Sequence, residues 1–402
     1  MNQQTKSLIK IKNNRIIDVI TCFCILFASS SYIQASLLPK VESNCLWVKA
    51  ESILDTSSID SIISFSSKNN INKLFFQVRS RGDALYNSNL VPKHEKLDSL
   101  FDPLEYVINK TRNTNIEIHA WFNTYILWSD KTKPKDVNHF YYKCDDCFEV
   151  DLNGKSDKLI ELDQFHSTSW EGVFLSPMHP DVNKHLLNVI DELIYTYEID
   201  GIHFDYIRYQ DAFYGYNEYG LIEFENLYSI NPIDLKRGII SERYGYNQDF
   251  VDSIKYEWQK FKISKITEFV RSVKYLILSD SLNIKLSAAV KPDILEAKYR
   301  WYQDWPQWVS EDIMDFCVIM NYYTDLNKYN SINTIISNHI NKKNKINIGI
   351  SAFNQSSNSI SNKILISRLD GYNNFSLFPY EIVKDTTNWY NPIYETINFY
   401  IK

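Results

Sequence analysis

Along the chain, short runs that are either continuously apolar or alternate apolar and polar residues are separated by longer stretches with helical spacing. The short runs cover 46–50, 73–79, 116–122, 201–206, 284–290, 315–321, 346–351 and 375–380, and they favour the β-branched and aromatic residues that suit a pleated surface. Helical spacing marks 57–67, 103–111, 180–197, 250–278, 306–312, 331–340 and 359–369. This order predicts repeated β-α units around a parallel sheet, and eight candidate strands predict an α/β fold, the (β/α)8 TIM barrel. An open doubly wound sheet is the rival; it is expected to carry a Gly-rich phosphate turn after its first strand, and neither G-x-G-x-x-G nor a P-loop occurs.

Two long insertions break the alternation after strands three and four, at 123–177 and 210–247. Loops in these places build the sites of barrel enzymes. The first holds Cys144-Asp145-Asp146-Cys147 and a hairpin signal at Asn153-Gly154. The second is rich in tyrosine, with Tyr214, Tyr216, Tyr219 and Tyr228, which suits either a lid that stacks on sugars or the packing of a small subdomain.

Strand four carries the densest chemistry, Asp200-Gly201-Ile202-His203-Phe204-Asp205-Tyr206-Ile207-Arg208-Tyr209. Alternation sets Ile202 and Phe204 on one face and His203 and Asp205 on the other. Both faces of a barrel strand are covered, so a carboxylate is costly there unless it stands at the mouth, and Asp205 is expected at the C-terminal rim. The alternative is a structural ion pair with Arg208. Polar residues recur at other strand ends: Arg79, Arg81 and Asp83 after strand two, His119, Trp121 and Asn123 on strand three, Asn321, Tyr322 and Tyr323 after strand six. In a barrel these positions converge on one mouth.

Composition narrows the function class. With 402 residues, 44% hydrophobic and 15% aromatic, the chain can bury one large core or two modest ones. A net charge of −6 and a pI near 5.8 argue against a nucleic-acid partner gripped through its phosphates. Lys6, Lys10, Lys12 and Arg15 precede an apolar run over 16–27 and then Ala35-Ser36, the grammar of an export leader. We therefore expect a leader over 1–35, one barrel domain over 36–402, and a periplasmic, envelope or extracellular location. Membrane attachment would require the leader to stay uncleaved, or lipidation at Cys22 or Cys24. Beyond the leader, Cys45, Cys144, Cys147 and Cys317 remain. Cys144 and Cys147 lack a second cysteine pair at zinc spacing, which favours a local disulfide or two free thiols over metal.

Several motifs in order are familiar: Phe76-Gln77-Val78-Arg79-Ser80-Arg81-Gly82-Asp83-Ala84-Leu85-Tyr86, His119-Ala120-Trp121-Phe122-Asn123, the strand-four decapeptide, and Tyr302-Gln303-Asp304-Trp305. Together with Leu175-Ser176-Pro177-Met178-His179-Pro180-Asp181-Val182 and Val318-Ile319-Met320-Asn321-Tyr322, they make the chain resemble the glycosyl hydrolase-like 10 family of exported bacterial proteins. The resemblance spans roughly 46–380. It departs at Gln210, where many members have proline, and at Met178, where many have a small residue. It implies a (β/α)8 barrel, export, and hydrolysis of glycosidic bonds in a polysaccharide, with bacterial cell-wall glycan as the substrate class.

Glycoside hydrolysis needs two carboxyl groups. Asp205 is the expected nucleophile or base, held ionised by His203 and Arg208. Asp304 is the expected acid, desolvated among aromatic rings, with helix capping as its alternative role and Asp83 as the runner-up acid. Arg79, Asp83, His119, Trp121, Asn123, His203, Tyr206, Arg208, Asn321 and Tyr322 are the expected sugar-binding residues. No cofactor or metal is expected. A metal-dependent deacetylase or phosphoesterase built on His119, His179, His203 and Asp205 lacks an H-x-x-x-H pair. A catalytically inactive glycan-binding barrel is the second alternative.

Overall fold

The computed structural model describes residues 38, 40–163, 170–384 and 388–399. The expected leader over 1–35, with Cys22 and Cys24, lies outside them. Eight parallel strands close into a barrel: β1 (Ser43–Val48), β2 (Lys73–Arg79), β3 (Glu117–Asn123), β4 (Gly201–Asp205), β5 (Lys285–Val290), β6 (Phe316–Met320), β7 (Ile346–Ser351) and β8 (Asn374–Phe378). Each strand pairs with its sequence neighbours, and Leu46 of β1, opposite both Leu74 and Leu377, closes the ring. The fold is thus the α/β barrel that the alternation predicts.

Burial on both faces explains why the strand runs read as nearly continuous apolar segments; all seven positions of β2 are buried. The period of two divides them between two cores. Cys45, Trp47, Phe75, Trp121, Ala289 and Val318 point inward and fill the barrel. Leu46, Leu74, Ile202 and Phe204 point outward into the larger layer beneath the helices. Strand ends obey local chemistry. β8 stops at Phe378 rather than at 380, because Pro379 has no N–H to give the ladder. Helices start where sequence punctuation puts them: Asp102 accepts from Glu105 N ahead of the helix Pro103–Thr111.

Both insertions fold onto the C-terminal side of the barrel strands. The first forms an antiparallel ribbon of Ile126–Trp128 with Val173–Phe174 and contains a disulfide between Cys144 and Cys147. Its Asn153-Gly154 turn is present, with Gly154 at φ +81° and Val150 bridged to Ser156. The second folds into helices Glu218–Tyr228 and Pro232–Lys236 before the long helix Gln248–Ser279. Its tyrosines serve packing: Tyr216 is buried against Trp258, Tyr228 stacks on Phe224, and Tyr219 lies against His179. Among the described residues, no helix is long and apolar enough to cross a membrane.

Candidate active site

One cleft of about 640 Å³ opens where the strands end, and every barrel strand contributes to it. Lys49 follows β1, Gln77 lies near the end of β2, and Asn123 and Asp205 end β3 and β4. Lys291 follows β5, Tyr322 follows β6, Phe353 follows β7 and Phe378 ends β8. Glu171 reaches the same cleft from the first insertion, just before the ribbon strand Val173–Phe174.

Asp205 is set by strand geometry. The chain turns sharply after it, with Tyr206 in the left-handed region at φ +52°, and Asp205 Oδ1 accepts the Tyr206 N–H at 2.8 Å. Burial pushes its carboxyl up to about 6, and Glu171 adds to the rise; the Tyr206 N–H, Arg208 and Lys291 act against it. Sequence reasoning expects His203 and Arg208 to hold Asp205 ionised; here burial works against the charged form, and His203 lies below with Trp47 and Ser287.

Arg208 is paired with Glu171 rather than with Asp205. The same guanidinium donates to the carbonyl oxygens of Tyr209 at 3.1 Å and Gln210 at 3.2 Å, and its centre lies 4.6 Å from the Trp301 ring. Lys291 also lies over that indole, at 4.4 Å, and burial pulls its ammonium down to about 8. The opposite wall is aromatic: Tyr322 and Phe378 stack at 5.9 Å, and Phe353, more than half exposed, stands edge-on to both. At the base of the cleft, Trp121 Nε1 and Asn123 Oδ1 are buried and have no hydrogen-bond partner among the described residues.

The structure gathers Trp121, Asn123, Asp205, Tyr206, Arg208 and Tyr322 around this cleft and sets the other expected residues apart from its lining. Arg79 is turned away by a register shift between Gln77 and Arg79, which pairs it with outward-facing Phe122. There it lies over the Phe122 ring and donates to the Asn123 carbonyl, clamping the start of the first insertion. Asp83 stays with it outside the barrel, receiving the Arg81 N–H at 3.2 Å with His94 beside it at 3.9 Å. His119 points inward but low, between Lys73 and Glu117. His203 lies one inward position below Asp205, between Trp47 and Ser287. Asn321 faces the helix Leu326–His339, where it donates to Tyr329 O and Asn333 Oδ1.

Asp304 is ion-paired with Lys298 at 2.7 Å, does not line the cleft, and makes no side-chain cap to the helix that follows it. Its neighbours in the motif explain why the motif matters. Gln303 receives the Lys291 N–H at 2.9 Å and donates to Ile207 O and Ala289 O, while Trp305 Nε1 donates to Lys291 O at 3.1 Å. The motif thereby fixes Lys291 and the turn after Asp205. Sequence reasoning missed Glu171, Lys291 and Trp301. Lys291, directly after an apolar strand, carried a usable signal; Glu171, in an irregular insertion, carried none.

The model of the glycosyl hydrolase-like 10 family matches residues 41–365. The glycosyl hydrolase DigH of Escherichia coli K12 is 26% identical over 153 residues, 35% of this chain and 32% of that protein. The glycosyl hydrolase YngK of Bacillus subtilis 168 is 26% identical over 176 residues, 40% of this chain and 31% of that protein. The matched stretch thus spans about a third of the length of these curated relatives. The PgaB (BpsB) glycoside hydrolase domain of Bordetella bronchiseptica superposes with a TM-score of 0.67 at 11% identity, covering 89% of this chain and 99% of that one. The catalytic domain of a β-amylase from Paenibacillus polymyxa gives 0.60 at 13% identity, covering 90% and 98%. At such identities the superpositions speak for the barrel alone.

Proposed function

Because the chain belongs to the glycosyl hydrolase-like 10 family, we propose that it is a glycoside hydrolase that cleaves a polysaccharide in the cleft at the barrel mouth. Three carboxyl groups line the cleft, and with Glu296 exposed and paired with Arg300, the observation that carries this reading is the convergence of the other two, Asp205 and Glu171, in different electrostatic settings. Asp205 is raised to about 6 by burial, and Glu171 is the ion-pair partner of Arg208. A pair with opposed environments is what acid-base cleavage of a glycosidic bond requires. Asp205 donates its proton to the departing glycosidic oxygen. Glu171 takes the second part, toward water or the anomeric carbon, and Arg208 orients it. Tyr322, Phe353 and Phe378 offer flat faces to sugar rings, and Trp121 Nε1 and Asn123 Oδ1 offer a donor and an acceptor to hydroxyls. Asp304, bound to Lys298, is given no chemical role.

The substrate class we favour is bacterial cell-wall glycan, following the family resemblance. An extracytoplasmic location is supported by the basic-then-apolar N-terminus and by the disulfide between Cys144 and Cys147. Incubating the protein with purified peptidoglycan glycan strands and with other polysaccharides, then analysing the sugars released, tests both activity and substrate. Cleavage of glycan strands by the wild type and not by Asp205→Asn is the expected result. Tight glycan binding with no sugar released from any polysaccharide would replace this reading with an inactive glycan-binding barrel.

A further inference from the structure

The first insertion carries a second set of reactive side chains, remote from the cleft and unused by hydrolysis. The Cys144-Asp145-Asp146-Cys147 turn faces His179, which caps the helix Pro180–Thr196 and whose ring is 1% exposed. His179 Nε2 is 4.0 Å from Cys147 Sγ and 3.6 Å from Asp146 Oδ1. Cys144 Sγ is 3.2 Å from the same Asp146 oxygen. One ligand atom from each of the four residues lies within 4.8 Å of all the others.

We propose that the reduced form of this cluster is a structural zinc site with Cys144, Cys147, His179 and Asp146 as ligands, the disulfide and the metal being alternative closures of one loop. Zinc bonds of about 2.0–2.3 Å in a tetrahedron put ligand atoms roughly 3.3–3.8 Å apart. With Nε2 as the nitrogen ligand, the nitrogen–oxygen and sulfur–oxygen separations already fall near that range and the sulfur–nitrogen one is slightly longer, so the chief movement required is the parting of the two sulfurs. Two thiolates with an imidazole select zinc over the hard cations calcium and magnesium. A cysteine-only search for a second pair misses the site, because the remaining ligands come from a helix start and from the turn itself.

The chemistry balances with an external dithiol as reductant. Its two electrons and two protons convert the disulfide to two thiols while it becomes a disulfide, and zinc binding then releases two protons as the thiols become thiolates. His179 Nδ1 accepts the Asp181 N–H at 3.2 Å, a capping contact given up when Nε2 coordinates, because the neutral ring then carries its proton on Nδ1. The site would fasten the base of the insertion. Ser176 N donates to Cys147 O at 2.8 Å, Asn217 Nδ2 donates to Asp146 O at 2.7 Å, and Phe148 bridges Leu175 on the segment that follows Glu171.

The test uses the whole protein, reduced by a dithiol without oxygen, freed of excess reductant, and titrated with zinc or cobalt(II). Reduced protein should take up roughly one zinc per chain, and oxidised protein none. Cobalt(II) should give tetrahedral ligand-field bands with a thiolate-to-cobalt charge-transfer band. Cys144→Ser with Cys147→Ser should abolish that band, and Asp146→Asn, at an exposed position, should weaken zinc binding at least about tenfold with an unchanged circular dichroism spectrum. If the double variant fails to fold, Asp146→Asn and the oxidised wild type serve as references. Uptake by reduced wild type no greater than by oxidised wild type, a zinc affinity equal to that of Asp146→Asn, or a cobalt spectrum without charge transfer overturns the proposal. None of these readouts depends on hydrolysis, so they leave the reading of the cleft untouched.

Discussion

His203 and Asp205 stand two residues apart on the same inward face of β4, one in the floor of the barrel and one at its mouth. In the floor, His203 Nε2 accepts from Trp47 Nε1 at 3.1 Å, and Nδ1 meets Ser287 Oγ at 2.9 Å with Phe75 stacked on the ring at 3.8 Å. Asn347 and Ser376 join in the same way at 2.7 Å. At the mouth, the only hydrogen bond found for the Asp205 carboxyl among the described residues comes from its neighbour Tyr206, and Trp121 Nε1 and Asn123 Oδ1 have none. Most polar groups in the floor satisfy one another and hold the barrel together, His119 Nδ1 being an exception, whereas groups left unsatisfied where the strands open can pair with a ligand. The comparison also explains the spread of the expected sugar-binding residues. For His119 and His203, which face inward as Asp205 does, only height along the barrel separates floor from mouth, whereas Arg79, Asp83 and Asn321 are turned out of the barrel.

The contrast is broken most sharply by Asp205→Asn, which should lower turnover by at least about a thousandfold, read as kcat on folded protein. Near-normal turnover would remove Asp205 from the chemistry. Glu171→Gln should cost about a hundredfold or more in kcat, with Arg208 left unpaired and the melting temperature slightly reduced. In the floor the order of effects reverses. His203→Ala should destabilise by about 2–4 kcal/mol in denaturant titration, since it opens a cavity and orphans Trp47 Nε1, while the folded fraction keeps turnover within about tenfold.

A pH series sharpens the comparison further. Asp205 has a folded-state value of about 6 against an ordinary 3.8, so its neutral form is the one the fold favours. The stability associated with it is present in full below about 3.8 and is lost as pH rises through about 6. Asp205→Asn should therefore unfold like the wild type at pH 3.5 and be more stable by about 1–3 kcal/mol at pH 8, read from urea titrations at both values. Equal stability at pH 8 would mean that the carboxyl is well solvated. The smallest effect is expected of Trp121→Phe, which deletes a donor with no partner among the described residues: KM should rise several-fold, with stability changed by less than about 1 kcal/mol.

The sequence by itself determined the barrel and much of its site. Strand and helix periods are local properties of the chain, and eight apolar runs separated by amphipathic helices leave few ways to cover both faces of a sheet. The alternation in β4 likewise placed Asp205 beside the mouth before any contact was known. Tertiary structure alone decided the rest. A one-residue bulge in β2 turned Arg79 outward, and an ion pair with Lys298 drew Asp304 away from the cleft. Glu171 came to face the same cleft as Asp205 only because the first insertion folds back as a ribbon. Those outcomes depend on which distant segments meet, and on how burial and neighbouring charge then set each group's protonation. Local period carries no record of either.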